Sequence, residues 1–135
     1  MGFLGTFLGR LFAPKSSLEL LPLGSLAPAF EVEDHLGRSV RLSDFRGGRV
    51  VLWFFPKAST PGCTRQGCGY RDRIEEYEAK GVRVLAASFD TPAENRRFAE
   101  EQRFPFPLLC AVDRRIGVAC RSALQRSDSH PRRIT

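Results

Sequence analysis

The sequence predicts a single α/β domain with a central sheet flanked by helices, and two observations carry most of that prediction. The first is a pair of apolar runs at residues 49–55 and 82–90, which are typical of strands buried on both faces. The second is that a helical pattern follows each run, at residues 62–79 and after Thr91. The order strand, helix, strand, helix implies parallel strands joined by crossover helices. A chain of 135 residues can bury one such core but not two.

Shorter elements are expected on either side of this unit. Before it, "AFEVEDHLGRSVRLSDFRG" predicts an N-terminal β-hairpin with its turn at residues 35–38, and then a second turn at residues 47–48. Because His35 falls in the hairpin turn, we expect its side chain to be solvated. After the unit, "FPFPLLC" predicts a short strand, and Asp113 is expected to cap a short helix through Ala119.

The two longer helices carry signals at their ends. A glycine, Gly81, is expected to terminate the first helix. Thr91 is a favourable N-cap for the second, with Pro92 and Glu94 in its first turn. The boundaries of both helices are therefore specified locally.

Residues 1–24 differ in composition from the rest, so we place the domain proper at residues 25–135. Within residues 1–24, six apolar residues recur at helical spacing and predict an amphipathic segment: Phe3, Leu4, Phe7, Leu8, Leu11 and Phe12. The run is too short to span a bilayer, and basic residues follow it, whereas in a secretory signal they precede it. Residues 3–12 are expected to pack on the domain, to self-associate or bind a partner, or to lie weakly on a membrane surface. The sequence does not decide among these.

Composition indicates a globular protein that does not bind nucleic acid. Hydrophobic residues make up 42% of the chain and charged residues 27%, which fits neither a disordered nor a membrane-spanning protein. The net charge is +6, but the arginines are dispersed instead of forming one basic patch with interleaved aromatic residues. We expect a cytoplasmic location.

The four cysteines are too few for a disulfide-stapled secreted scaffold. They form no CxxC unit, which disfavours a structural zinc site. Cys110 and Cys120 lie in apolar surroundings and are expected to be small buried residues. Cys63 and Cys68 stand apart from them, five residues from each other.

Cys63 lies where a buried strand gives way to a helix, in "PKASTPGCTRQGC". Thr60 is a good N-cap and Pro61 suits the first helical position, so Cys63 falls in the first turn. Unpaired backbone N–H groups and the helix dipole stabilise an anion there, and the thiolate is the nucleophilic form of cysteine. On these residues alone, a merely packed Cys63 is an equally good interpretation.

The spacing P-x-x-x-T-x-x-C, after an apolar strand and at the start of a helix, resembles the active-site signature of peroxiredoxins. The fuller "PKASTPGCTRQGC" with its following "RD" looks like the peroxiredoxin Q group, in which a second cysteine lies five residues after the first. The resemblance extends from Ala27 through "VVLWFFPKA", "GVRVLAASFD" and "FPLLCAVDRRIGVA" to "RRIT". It implies a thioredoxin-like fold and reduction of hydrogen peroxide and organic hydroperoxides without a metal or organic cofactor.

The resemblance also implies a role for each matched residue. Cys63 would be the peroxidatic cysteine, whose thiolate attacks the peroxide and becomes a sulfenic acid. Thr60 would orient the thiolate and the peroxide, Pro56 would shield the pocket from water, and Arg133 would polarise the peroxide. Cys68 would be the resolving cysteine, and thioredoxin or a similar dithiol protein would recycle the disulfide.

Helix geometry sets a requirement for that disulfide. Two α-carbons five positions apart on a helix are separated by roughly 8.6 Å, whereas a disulfide needs about 4.4 to 6.8 Å. The helix must therefore unwind before Cys68 reaches Cys63. Gly62, Gly67 and Gly69 each lower helix stability by up to about 1 kcal/mol relative to alanine, which would favour unwinding. Close packing is the alternative reason for these glycines.

The sequence departs from the family pattern in several places. Gln66 stands where many members have glutamate, and Cys110 and Cys120 replace a serine and a tyrosine. Family members continue past "RRIT" into two strands and a helix, so we expect a C-terminally short domain. One edge of the strand at residues 49–55 would then be unpaired, which favours self-association and lower stability.

Two other functions are compatible with parts of the sequence. A peroxiredoxin-like chain with little turnover could act as a redox sensor or interaction module. A thioredoxin-like thiol–disulfide exchanger would normally carry CxxC, which is absent from the sequence.

Overall fold

The structure is a computed structural model that describes residues 21–111. The described strands are β1 (Glu31–Glu33), β2 (Ser39–Arg41), β3 (Arg49–Phe54), β4 (Val82–Ser88) and β5 (Leu108–Cys110). The described helices are a 3-10 turn (Leu42–Phe45), α1 (Pro61–Asp72), α2 (Ile74–Ala79) and α3 (Pro92–Gln102). The segment at residues 3–12, the helix predicted after Asp113, Cys120 and Arg133 all lie outside the described residues.

The described sheet contains three parallel strands in the order β3-β4-β5. Its register places Trp53 opposite Ala86 and Ala86 opposite Leu108. The helices α1 and α2 connect β3 to β4, and α3 connects β4 to β5, so each parallel pair is joined by a helical crossover. The hairpin of β1 and β2 is antiparallel and forms its own two-stranded sheet. The predicted α/β architecture and N-terminal hairpin are confirmed.

Apolar side chains of the strands alternate between two buried clusters, one for each face of the sheet. The first cluster, on the side of the helices, includes Trp53, Phe55, Cys63, Val84, Ala86, Phe98, Phe104, Phe106 and Leu108. The second, on the side of the hairpin, includes Val40, Phe54, Leu85, Ala87, Leu109 and Ala111. Neighbouring residues of β3 and β4 enter different clusters. The prediction of a strand buried on both faces is confirmed for β4, whereas in β3 only Trp53 and Phe54 are buried and residues 49–52 are exposed or half-buried.

The helical region between β3 and β4 is divided in two, so the prediction of one helix over residues 62–79 is wrong in its continuity. The break is at Arg73, whose backbone leaves the helical range at φ −112° and ψ 12°. The end of α2 is as predicted, since Gly81 adopts φ +68° and donates its N–H to the Glu78 carbonyl at 2.9 Å. No helix among residues 21–111 is long and apolar enough to cross a membrane.

The cap of α3 is as predicted from the sequence. Thr91 Oγ1 accepts a hydrogen bond from the Glu94 backbone N–H at 3.3 Å, and Glu94 Oε2 accepts one from the Thr91 backbone N–H at 2.8 Å. This reciprocal pair is a capping box, and it satisfies two helix-end donors at once.

His35 is buried, so the prediction of a solvated turn residue is wrong. Its ring Nδ1 accepts a hydrogen bond from the Leu108 backbone N–H at 3.2 Å, and its own backbone N–H donates to the Leu108 carbonyl at 2.9 Å. The hairpin turn therefore packs against β5, a contact between residues far apart in the chain. Since Nδ1 is the acceptor, the fold holds the neutral ring. Burial lowers the pKa of His35 below its ordinary value of 6.5.

Acidification is therefore expected to destabilise the fold through His35. The unfolded chain binds the proton near pH 6.5, whereas the folded chain binds it only at a lower pH. The stabilising contribution is complete above the unfolded-state pKa and is lost as the pH falls through the folded-state pKa. One group adds at most about 1.4 kcal/mol per pH unit. Urea unfolding at a series of pH values would measure this slope. His35→Gln, which keeps an acceptor but does not titrate, should reduce it, and an unchanged slope would contradict the assignment.

Candidate active site

The loop after β3 brings the predicted site residues to the carboxyl end of the sheet. Phe55 is fully buried and donates its N–H to the Ala87 carbonyl at 3.0 Å, which fixes the start of the loop. Pro56 follows and is half-buried. Ser59 adopts a left-handed conformation at φ +61°, and the chain then turns into α1. A sharp strand-to-helix turn thus positions the first residues of α1.

Cys63 lies in the first turn of α1, as predicted, and is only 5% exposed. Its neighbours include the buried aromatic residues of the helix-side cluster. Cys63 therefore packs in the core and also lies at a helix N-terminus, and its role as a nucleophile stays a prediction. Such a thiol is shielded from bulk water while backbone N–H groups of the first turn lie near it in sequence.

Thr60 occupies the N-cap position, but its hydroxyl does not cap the helix. The backbone is extended there, at φ −83° and ψ 152°, and no side-chain cap bond forms. Thr60 Oγ1 instead donates to the Lys57 carbonyl at 2.9 Å. Because the hydroxyl proton is engaged, the oxygen presents only lone pairs to a neighbouring group. The side-chain cap inferred from sequence is thus wrong, and the residue is left as a hydrogen-bond acceptor.

The loop between β3 and α1 is held by an anchor that sequence reasoning missed, formed by Asp90 in the connection between β4 and α3 and by Glu94 of α3. Asp90 is 4% exposed and accepts hydrogen bonds from the Ala58 backbone N–H at 2.8 Å and from Lys57 Nζ at 2.6 Å. Lys57 Nζ also donates to Glu94 Oε1 at 2.7 Å. This last bond and those from Thr91 lower the pKa of Glu94 to about 2, and the two carboxylates raise the pKa of Lys57.

The backbone of Asp90 is bonded to a small polar cluster formed by Ser88, Asn95 and Cys110. Asn95 Nδ2 donates to Ser88 Oγ at 3.1 Å and to Cys110 Sγ at 3.4 Å, and the Asp90 backbone N–H donates to Ser88 Oγ at 3.2 Å. Cys110 is half-buried instead of fully buried, and burial raises the pKa of its thiol. Cys110 is therefore a weaker nucleophile than a free cysteine at neutral pH.

Cys68 lies in the same helix as Cys63, and the two are not bonded. It is half-buried, and its thiol donates to Gln102 Oε1 at 3.6 Å. Since residues 61–72 are helical throughout, the two α-carbons are separated by the roughly 8.6 Å of an intact helix, beyond the reach of a disulfide.

The three glycines of α1 differ in their surroundings. A β-carbon on Gly67 would lie 2.5 Å from Phe104 Cζ and 2.9 Å from Trp53 Cη2, so only glycine allows this close approach. A β-carbon on Gly62 or Gly69 would meet no atom within 4 Å apart from its chain neighbours and the nearby backbone of its own helix. Close packing thus explains why residue 67 is glycine. It does not explain Gly62 or Gly69, which instead lower the stability of the helix.

Alanine substitutions of Gly67 and Gly69 are therefore expected to change stability in opposite directions. Gly67→Ala should destabilise by about 1 to 2 kcal/mol, because overpacking outweighs the gain in helix propensity. Gly69→Ala should stabilise by about 0.5 to 1 kcal/mol. Urea unfolding of the two variants would measure both effects, and a loss of stability in Gly69→Ala would show that this position has a packing role as well.

Among residues 21–111, no group of three or more histidine, cysteine or acidic side chains could hold a metal ion. The predicted peroxide-polarising Arg133 lies outside this range, so its place in the site stays a prediction. The described part of the candidate site thus consists of Pro56 and Thr60 in the loop that Asp90 anchors and of Cys63 in the first turn of α1.

Fold and site together define a thioredoxin-like α/β protein with a buried cysteine at the start of a helix. A family model described as the AhpC/TSA family matches residues 23–129. The chain belongs to the AhpC/TSA family.

Individual relatives agree with this assignment. Peroxiredoxin Bcp of Escherichia coli K12 is 46% identical over 96 residues, which cover 71% of this chain and 62% of that protein. The chloroplastic peroxiredoxin Q of Triticum aestivum is 45% identical over 86 residues, covering 64% of this chain and 40% of that protein. The predicted resemblance to the peroxiredoxin Q group is confirmed. The chain spans about three fifths of the length of the E. coli relative.

Solved structures show the same similarity at the level of the fold. Peroxidoxin BcpB of Mycobacterium tuberculosis superposes with a TM-score of 0.70 at 34% identity, covering 72% of this chain and 64% of that one. Peroxiredoxin Q of Xanthomonas campestris gives a TM-score of 0.69 at 28% identity, covering 72% of this chain and 61% of that one. The thioredoxin-like fold implied by the sequence resemblance is confirmed.

Proposed function

We propose that this protein is a thiol-dependent peroxidase that reduces hydrogen peroxide and organic hydroperoxides. The observation that carries the proposal is Cys63, buried in the first turn of α1 within the P-x-x-x-T-x-x-C pattern of a chain of the AhpC/TSA family. A structural relative, the bacterioferritin comigratory protein of X. campestris, has alkyl peroxide reduction activity, which supports organic hydroperoxides as substrates.

In the first step, the Cys63 thiolate attacks the terminal oxygen of the hydroperoxide. A sulfur–oxygen bond forms, the oxygen–oxygen bond breaks, and the departing oxygen takes up a proton and leaves as water or alcohol. The lone pairs of Thr60 Oγ1 can accept the peroxide O–H, because the Thr60 proton is donated to the Lys57 carbonyl. Pro56 limits access of water to the pocket, and Arg133 stabilises the charge on the leaving oxygen.

In the second step, Cys68 resolves the sulfenic acid. The Cys68 sulfur bonds to the Cys63 sulfur, the sulfur–oxygen bond of the sulfenic acid breaks, and hydroxide leaves with the thiol proton as water. Thioredoxin or a similar dithiol protein in the cytoplasm then reduces the disulfide by thiol–disulfide exchange. The cycle needs neither a metal nor an organic cofactor.

Peroxide consumption by the purified, reduced chain tests the proposal. Without a reductant, we expect one equivalent of hydrogen peroxide to be consumed per chain, with formation of a Cys63–Cys68 disulfide that mass spectrometry of peptides can identify. With thioredoxin, its reductase and NADPH, consumption should become catalytic. Stoichiometric oxidation without turnover would favour the redox-sensor alternative, and no peroxide-dependent oxidation of Cys63 would contradict the proposed activity.

A further inference from the structure

A small polar cluster joins α1 to the end of α3, and we call its residues Cys68, Arg71 and Gln102 the latch. The Cys68 thiol donates to Gln102 Oε1 at 3.6 Å, and Arg71 Nη1 donates to the Gln102 carbonyl at 2.8 Å. All three residues are partly buried. The side chain and the backbone of Gln102 are thus both bonded to α1.

The Gln102 carbonyl is available because it belongs to the last turn of α3. The final carbonyls of a helix lack partners within it, and here the N–H of Arg103 returns to the carbonyls of Ala99 and Glu100. Arg71 supplies the missing donor for Gln102 and places a cation at the negative end of the helix. The latch therefore provides a hydrogen-bond donor for an otherwise unpaired carbonyl at the end of α3, and it also bonds α3 to α1.

Gly67 places the latch next to the tightest packing in α1. It lies directly before Cys68 and lets the helix approach Phe104 and Trp53 closely. The part of α1 at Gly67 and Cys68 is thus held both by packing and by the latch, whereas a β-carbon on Gly62 or Gly69 would find open space.

We infer that the latch sets the rate at which Cys68 leaves α1, and that Gln102 is a positioning residue for the resolving step. The inference rests on the proposed peroxidase function. Cys63 is buried and the intact helix keeps Cys68 beyond disulfide reach, so Cys68 must move. Any such movement breaks the bond from Cys68 to Gln102 and loosens the one from Arg71.

The latch then determines what happens to the sulfenic acid on Cys63. One course is attack by Cys68, which gives the disulfide and water. The other is reaction with a second hydroperoxide, which transfers another oxygen to sulfur, gives the sulfinic acid and releases water or alcohol. A tighter latch prolongs the sulfenic acid and favours the second course, and a looser latch favours the disulfide.

Rapid mixing of the reduced protein with peroxide tests this inference. Trp53 is the only tryptophan in the chain and packs against Tyr70 of α1, with ring centroids 5.4 Å apart, so its fluorescence reports movement of the helix. In Gln102→Leu we expect disulfide formation to accelerate by about threefold to tenfold, the range for one lost hydrogen bond. The sulfinic acid formed at excess peroxide should fall by a similar factor, while the first oxidation of Cys63 keeps its rate.

Two further variants separate the latch from general loosening of the structure. Gln102→Glu retains an acceptor for Cys68 and should resolve no faster than the wild type. Arg71→Met should accelerate resolution, whereas Arg73→Met, an equal change of charge at an exposed position, should not. A wild-type resolution rate in Gln102→Leu, or equal slowing of both steps, would overturn the inference. If the wild-type chain showed no oxidation of Cys63 by peroxide, the proposed function would fail and the latch with it.

Discussion

Cys63→Ser is expected to abolish peroxide reduction, with a loss of about four orders of magnitude or more, as for removal of other catalytic nucleophiles. Serine preserves the shape of the buried site, but its hydroxyl is not ionised at neutral pH and is a poor nucleophile for peroxide oxygen. Because Cys63 is almost fully buried in the helix-side cluster, serine also adds a polar group there, so the fold must be checked by circular dichroism. Peroxide consumption, followed with and without thioredoxin, measures the loss.

Cys68→Ser should affect only the later part of the cycle. It retains one rapid oxidation per chain, but the sulfenic acid persists and is detectable by trapping with dimedone. Cys110→Ser is the matched control, because burial raises the pKa of that thiol and should keep it out of the reaction. Near-normal turnover in Cys63→Ser, or loss of the first oxidation in Cys68→Ser, would contradict the division of labour between the two cysteines.

The features that the sequence predicted correctly are those specified by short stretches of chain. The strands at β3 and β4 are continuous apolar runs, and the capping box at Thr91 and Glu94 spans four residues. The helix start is likewise marked locally by Pro61 at the first helical position, although the Thr60 hydroxyl does not cap the helix. Such signals need no knowledge of the tertiary structure, because neighbouring residues satisfy them.

The features that sequence reasoning missed are contacts between distant parts of the chain. His35 is buried by β5, 73 residues away, and Asp90 anchors a loop 32 residues before it. Thr60 donates to a carbonyl only three residues back, but that bond depends on the path of the anchored loop. An acidic residue at the end of the apolar run "VRVLAASFD" was a usable signal for Asp90, since a carboxylate there must find donors.

The same distinction applies to the site. Cys63, Cys68, Thr60 and Pro56 are close in sequence, so a motif could nominate them together. Gln102 is 34 residues from Cys68, and nothing in the pattern of α3 distinguishes it from an ordinary helix-end residue. The contacts that hold or release the motif are therefore visible only in the folded structure.

Asp90→Ala is expected to damage both stability and catalysis, because one buried carboxylate holds the whole loop from Pro56 to Thr60. Alanine leaves the Ala58 N–H without its acceptor, at a cost of about 1 to 3 kcal/mol. The lost ion pair with Lys57 adds less than about 1 kcal/mol, since the lysine side chain is 53% exposed. Urea unfolding should show a total loss of about 1 to 4 kcal/mol.

Catalysis should suffer in the same variant because the loop determines where Thr60 and the start of α1 lie relative to a bound peroxide. A displacement of the order of 1 Å in such a site can cost about a hundredfold in rate, so we expect the first oxidation of Cys63 to slow by about tenfold to a hundredfold. Lys57→Met removes only the partly exposed ammonium group that pairs with Asp90. It should lower the free energy of unfolding by less than about 1 kcal/mol and should change the activity little. Asp90→Asn, which can still accept from Ala58, should be intermediate. If Asp90→Ala were as stable and as reactive as Lys57→Met, the buried hydrogen bond to Ala58 would have no part in holding the site.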